Sequence, residues 1–406
     1  MGSGHAHTHI DAPAPARSRR LLLIVLTPLL LATVVGLAVL WPSPQPAGTE
    51  GIDLGFDVEP TDGTVLGERM APCASVPDGS GATCRFFDVR LDEGPDEGST
   101  FALELQDSPT SVDLEPGDEI VLGRALGDGI PEDLRYSFFD FQRRDPLLLL
   151  AALFVAAVLA LGRWHGLRAL AGLGISLFVL VRFVLPSILD GNDAVAVSLV
   201  GSAVIMLVAL YLSHGFSDRT TTAVVGTLVS LGLTGVLAVV FIGLTSLTGL
   251  ADEDARILQL ASASIDLRGL ILGGIIIGTL GVLDDVTVTQ VSAVWELHHA
   301  NPSLGRRGLS SAALRIGRDH IASTVNTLVL AYAGASLPLL VLFVEARRGL
   351  GEVLTGETIA TELVRTLVGS IGLVASVPVT TFLAAVVVTG RAGWESRRAA
   401  DYRPRR

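Results

Sequence analysis

Arg268-Gly-Leu-Ile-Leu-Gly-Gly-Ile-Ile-Ile-Gly-Thr-Leu-Gly-Val-Leu-Asp-Asp-Val-Thr-Val-Thr-Gln-Val-Ser-Ala-Val-Trp295 is the stretch that decides how this chain folds. Its apolar residues are too many and too continuous for a helix with one wet face, and it is long enough to cross a bilayer. Yet Asp284 and Asp285 sit in its middle. An acidic side chain at the bilayer centre costs about 2.5–3.5 kcal/mol even on the lenient insertion scale. Two of them must be solvated by protein groups, water or an ion.

The rest of the 406 residues agree with a membrane reading. Half are hydrophobic, and the mean hydropathy of +0.56 excludes an ordinary soluble globular protein. All 29 Lys and Arg residues are arginine, a composition that suggests a GC-rich bacterial genome. Residues 50–145 hold 23 Asp and Glu against seven Arg, a net −16 within a chain of net −12, so the remainder is slightly basic. Cys73 and Cys84 fall in this acidic window, and their closeness suggests a hairpin-closing disulfide formed in an oxidising, extracytoplasmic compartment. A zinc site would want further ligands, and the window has no His; two free thiols are the alternative.

From these features the chain divides as follows. Residues 1–20 are expected to be a disordered cytoplasmic tail, in which His5, His7 and His9 define no fixed metal geometry. Residues 21–41 read as a retained anchor helix behind an Arg cluster, and Pro42–Pro46 as a stiff linker. Residues 42–145 alternate apolar and polar positions between Gly, Pro and Asp turns, as in Arg85–Leu91, Thr100–Leu105 and Pro116–Leu122. They predict a small extracytoplasmic β-rich module, an OB-like barrel or a small sandwich. Its acidity argues against nucleic acid as a partner.

Residues 146–390 predict seven further apolar spans, at about 146–162, 167–189, 194–213, 221–249, 269–295, 321–345 and 364–389. Arginines at 163, 168, 219, 306, 307, 315 and 318, and the basic tail 391–406, mark alternate turns as cytoplasmic; only Arg347 and Arg348 oppose this. The fold class is thus an α-helical polytopic membrane protein of about eight helices with both termini inside a bacterial inner membrane. The lipid bilayer is its first partner.

Helical phasing separates the two aspartates. At about 100° per residue, Gly274, Gly278, Gly281, Thr289, Ser292 and Glu296 fall within about 40° of Asp285, while Asp284 lies about 100° aside. The glycines on this face would allow a neighbouring backbone to approach closely. On the next span Arg315, Asp319, Ser323 and Asn326 share one line, with Arg318 nearby. Packing of the two lines would bring Asp285 near Asn326 and make a seam suited to an ion or proton pathway of Asp284, Asp285, Thr289, Glu296, Asp319 and Asn326. Arg315 and Arg318 would form a basic cluster at its cytoplasmic end. Ser323 and Asn326 could equally be interhelical glue. His214 reads as interfacial, and His298-His299 as part of a solvated loop.

The stretch Gly278–Glu296, and a second one running Ile316-Gly-Arg-Asp-His-Ile-Ala-Ser-Thr-Val-Asn-Thr-Leu-Val-Leu-Ala-Tyr-Ala-Gly334, resemble the signature of the YibE/F family of bacterial membrane proteins. The resemblance covers roughly residues 50–390. It implies an anchor helix, an external β-rich module and a multi-span domain, and it points to Asp285, Arg318, Asp319 and Asn326. Leu283-Asp284 departs from the expected pattern of apolar residues or a single acid.

Three functions compete. The first is a transporter or channel-like permease for a small cation or proton-coupled solute. The second is a non-catalytic envelope scaffold or the membrane subunit of a larger export complex, as a homo-oligomer or with accessory subunits. The third is an intramembrane aspartyl protease pairing Asp284 or Asp285 with Asp319. No P-loop, dinucleotide fingerprint or nucleophile–base pattern occurs, so no cofactor and no other catalytic residue is expected. The Asp pair leaves room for a bound cation.

Overall fold

The computed structural model describes residues 16–43, 58–73, 83–106, 108, 111–126, 135–251, 253–261, 265–345 and 349–390. The histidine tail, Arg347–Arg348 and the basic C-terminal tail lie outside them. The chain divides into two compact units, Gly48–Leu161 and a second formed by Met1–Ala47 with Gly162–Arg406.

The first unit holds one antiparallel sheet of β1 (Val58–Pro72), β2 (Thr83–Leu91), β3 (Thr100–Gln106), β4 (Glu119–Ala125) and β5 (Tyr136–Phe141), in the order β3-β2-β1-β4-β5. The long β1 is shared: Val58–Thr64 pairs with β4 and Gly63–Pro72 with β2, with a register shift between Val65 and Gly67. Alternate residues turn inward, so Val65, Phe87, Val89, Leu91, Leu103, Ile120 and Leu122 close a core beneath Leu114. Tyr136 seals its edge. Burial, aided by the hydrogen bond its hydroxyl donates to Asp96 (2.7 Å), pushes the phenol up to about 12. Cys73 and Cys84 are joined in a disulfide, Cα atoms 4.9 Å apart, closing the β1–β2 hairpin as the sequence suggests.

The helices are α1 (Ala16–Val39), α2 (Arg144–Val179), α3 (Leu185–Leu189), α4 (Ala194–His214), α5 (Asp218–Leu244), α6 (Glu253–Ala261), α7 (Leu267–Ala300), α8 (Arg306–Ala335), α9 (Leu337–Glu345), α10 (Leu350–Thr355) and α11 (Glu357–Thr389). Six helical stretches among the described residues are long and apolar enough to cross a membrane, or seven if the α8–α9 pair counts as one span.

Several boundaries differ from the periodicity reading. The spans expected at 146–162 and 167–189 are two helical segments of the stretch Arg144–Leu189 that meet at a kink, the second continuing through a π turn at Leu180–Val184. The separating turn is a single residue, Arg163, at φ 47, a region disfavoured for side-chain-bearing residues. The basic residues 306–320 are helix rather than loop. The span expected at 321–345 is broken after Ala335 by a 62° bend. Pro338 explains the break, because it has no N–H to offer the preceding turn and its ring crowds the carbonyl four residues back. His298 and His299 belong to the last turn of α7 rather than to a loop.

At the bundle's centre α5, α7 and α11 pack on one another, with α4 against α7 and α8 against α11 and α7. Small residues set these contacts. A Cβ on Gly372 would collide with Thr234 Oγ1, one on Gly273 with Ser198 Oγ, and one on Gly226 would lie 2.8 Å from Thr380 Oγ1. On α5 the buried hydroxyls are satisfied within the helix: Thr227 donates to Ala223 O (3.0 Å), Ser230 to Gly226 O (2.8 Å) and Thr234 to Ser230 O (2.9 Å), whereas Ser198, Ser202, Ser370 and Thr380 make no hydrogen bond among the described residues. Local pairing of this kind lets polar side chains line a helix contact away from water.

Candidate functional site

On α7 the buried faces are spent on neighbours. Leu272, Gly273, Ile276, Thr279, Leu280, Leu283, Thr287, Gln290, Val291 and Val294 are all buried. The remaining face is the glycine and acid stripe: Gly274, Gly278, Gly281, Asp285, Thr289 and Glu296 are all exposed. The two predicted lines therefore do not close on each other. α8 spends its buried residues Leu309, Ala313, Gly317 and Leu328 on the core, which leaves Arg315, Arg318, Asp319, Ser323 and Asn326 exposed.

Other side chains meet the stripe instead. At one end Arg365 of α11 donates to Glu362 (2.6 Å), and its Nη2 lies 3.9 Å from where a Cβ on Gly274 would be. The Tyr332 hydroxyl stands 3.3 Å from the corresponding position on Gly278, while nothing comes within 4 Å of that on Gly281. Gly274 and Gly278 thus make room for polar side chains rather than for a helix backbone, and Gly281 faces open space. Close helix packing falls to Gly226, Gly273 and Gly372.

Midway, Asp285 Oδ2 faces His320 Nε2 at 3.7 Å, an ion-pair separation longer than a hydrogen bond. Asn326, the expected neighbour, is six residues further along α8, about 9 Å of helix rise. The Asp285 side chain is 71% exposed, so it lines the open face rather than the core. Asp284 points differently: it is half-buried, and its Oδ1 is enclosed without a hydrogen-bond partner among the described residues. Thr289 turns its hydroxyl back to Asp285 O (2.7 Å). At the far end Arg219 of α5 donates to Ser292 (3.1 Å) and lies 3.8 Å from Glu296.

The result is one lane: Arg365, Glu362 and Tyr332, then Asp285 with His320, then Ser292, Glu296 and Arg219. From Gly274 to Glu296 it covers about 33 Å of helix rise, close to the thickness of a bilayer's hydrocarbon core. A carboxylate facing an imidazole can accept, hold and release a proton, or favour a small cation when the imidazole is neutral. The position of α7 and α8 is fixed from behind by Gln290, which is buried and donates to Ala313 O (3.0 Å) and Thr381 Oγ1 (2.6 Å), tying α7 to α8 and α11.

His320, Arg365, Glu362, Tyr332, Arg219 and Gln290 are the residues that phasing α7 and α8 alone did not bring forward. Two carried a usable signal. An arginine two turns inside an apolar helix, as Arg365 is, marks a polar path or partner. His320 follows Asp319 directly.

Comparison with known proteins gives one match. A family model described as YibE/F-like protein aligns with residues 150–390, which includes every helix of the lane. No curated protein and no solved structure matches the chain.

Proposed function

The chain belongs to the YibE/F-like protein family, and we propose that it is a multi-pass membrane protein that moves protons or a small cation, alone or coupled to a solute, along the exposed face of α7. One observation carries this reading: a bilayer-length file of ionisable and small residues with Asp285 and His320 at its middle. Intramembrane ionisable residues are costly and are kept where ions or protons travel.

Taken as spans, α1, the two parts of α2 divided at Arg163, α4, α5, α7, the α8–α9 pair and α11 make eight crossings. Both termini then share a side, and the arginine distribution makes that side cytoplasmic in a bacterial inner membrane. The β module would lie outside, where its disulfide is chemically stable. Its strand order, with β1 shared between β2 and β4, suits a partly open barrel of the OB type.

No enzymatic role is proposed, because the group opposite Asp285 is an imidazole and not the second carboxylate that an aspartyl protease needs. The exposure of the lane favours one companion reading, that a second copy or an envelope subunit covers it. The test is flux into proteoliposomes bearing the full chain, followed with a pH-sensitive dye and with monovalent cation tracers. Asp285→Asn should abolish the flux and His320→Gln should reduce it. Flux unchanged in Asp285→Asn removes the proposal.

A further inference from the structure

Away from the lane, the start of α8 and the end of α11 enclose a cleft of about 470 Å³ whose rim is made of Arg306, Arg307, Arg315 and Arg318. Leu314 and Phe382 line its apolar side, and Phe382 is 67% exposed. Among the described residues none of these four guanidinium groups is in an ion pair; the ion pairs of this unit are Arg219–Glu296, His320–Asp285 and Arg365–Glu362. Arg306 is anchored by donating to Thr389 (3.1 Å), and Arg315 reaches Ser311 (3.5 Å). Arg307 and Arg318 are exposed.

Four like charges around one cleft repel each other, and their placement adds a second cost. Arg306 and Arg307 occupy the first turn of α8, which has no acidic residue there and no side-chain cap at Gly305. The positive end of the helix dipole therefore meets positive side chains, the unfavourable arrangement. A multiply charged oxyanion would relieve both costs. Guanidinium groups suit phosphate because they offer paired donors to its oxygens. The apolar wall beside the rim suits an occupant with an acyl chain as well as a charged head.

We propose that this cleft binds the phosphate headgroup of an anionic phospholipid, with an acyl chain lying along Phe382 and the outer face of α11. The proposal rests on the membrane-spanning placement of α8 and α11 but not on transport. Basic pockets between helices near a membrane surface bind such headgroups. A site that takes lipid at the start of α8 would bias the helix carrying His320, Asp319 and Asn326, and so link the lane to membrane composition.

The test compares unfolding midpoints of the full chain in phosphatidylcholine nanodiscs, with and without phosphatidylglycerol, and with inorganic phosphate added to the phosphatidylcholine discs. Phosphatidylglycerol should raise the midpoint by about 3–5 °C, as expected for a ligand near tenfold its dissociation constant. Arg315→Gln/Arg318→Gln should lose that rise, with a midpoint in phosphatidylcholine no lower than that of the wild type. Arg19→Gln/Arg20→Gln, which removes the same charge from α1, should keep it. An equal rise in the two double variants overturns the site, as does no rise in the wild type. A full rise with inorganic phosphate alone overturns the lipid assignment. A chain that fractionates away from membranes contradicts the membrane placement itself, and so separates that failure from the failure of the site.

Discussion

Replacing Gln290 with Leu tests whether the lane is held in place by the contact behind it. The side chains are close in size, so little cavity is created and the change isolates the polar contacts. Two hydrogen bonds are lost, to Ala313 O and to Thr381 Oγ1. Within membranes such bonds average about 0.6 kcal/mol and reach about 1.7. The deserted acceptors do not bear the full desolvation cost. Ala313 O keeps its own helical bond, and the Thr381 hydroxyl can turn to a carbonyl of α11. The expected loss is therefore about 1–2 kcal/mol, or a fall of about 2–8 °C in the unfolding midpoint for a unit of this size. Thr381→Val should cost about half as much, and the double variant should cost no more than Gln290→Leu alone, because both remove the same bond. Thermal unfolding in detergent of the four proteins gives the cycle. A Gln290→Leu shift under about 1 °C, or full additivity, refutes the argument that Gln290 pins α7 to α8 and α11.

Two further outcomes follow from local geometry. Cys73→Ser/Cys84→Ser opens a bridge between residues 11 apart in sequence. It should destabilise the β module by about 3 kcal/mol, read as faster limited proteolysis of residues 58–141 in the full chain; unchanged proteolysis would contradict it. Gly372→Ala drives a methyl into Thr234 and should cost about 1–3 kcal/mol. Gly281→Ala, with nothing within 4 Å of the added atom, should be neutral or gain up to about 1 kcal/mol from helix propensity. Equal midpoints for the two glycine variants would contradict the packing described.

Much of this was legible from the residues, for identifiable reasons. Period-two runs found three of the strands, because one sheet face must be apolar. Short sequence separation found the Cys73–Cys84 bridge. Phasing grouped the Gly, Thr and Asp stripe on one face of α7, but as a seam against α8, whereas the structure leaves that face exposed. What phasing cannot give is the identity of the neighbour. Asp285 meets His320 and not Asn326 because α11 packs against both α7 and α8 and draws the buried side of α8 toward itself. Arg365 enters the lane from a helix that was read only as an apolar span. The bend at Ala335 was hidden for another reason: Pro338 interrupts a run whose hydropathy does not change. The glycines of the exposed stripe looked like packing glycines because both kinds share one spacing, and only the atoms opposite distinguish Gly278 from Gly273.

Water-borne labelling of single cysteines along α7 tests the central claim most directly. Both native cysteines are in the disulfide, so an introduced thiol is unique. Membrane-impermeant methanethiosulfonate reagents react in water and not in lipid. In proteoliposomes, cysteines at Gly278, Gly281, Thr289 and Ser292 should be labelled, and protons or a transported cation should slow the reaction at Gly281 and Thr289, which flank Asp285. Cysteines at Ile276, Leu283 and Val291, on the buried faces, should stay unreacted. Protection of the whole glycine face, equal to that of the buried positions, would mean that lipid or another helix covers it, and would contradict a hydrated path through Asp285.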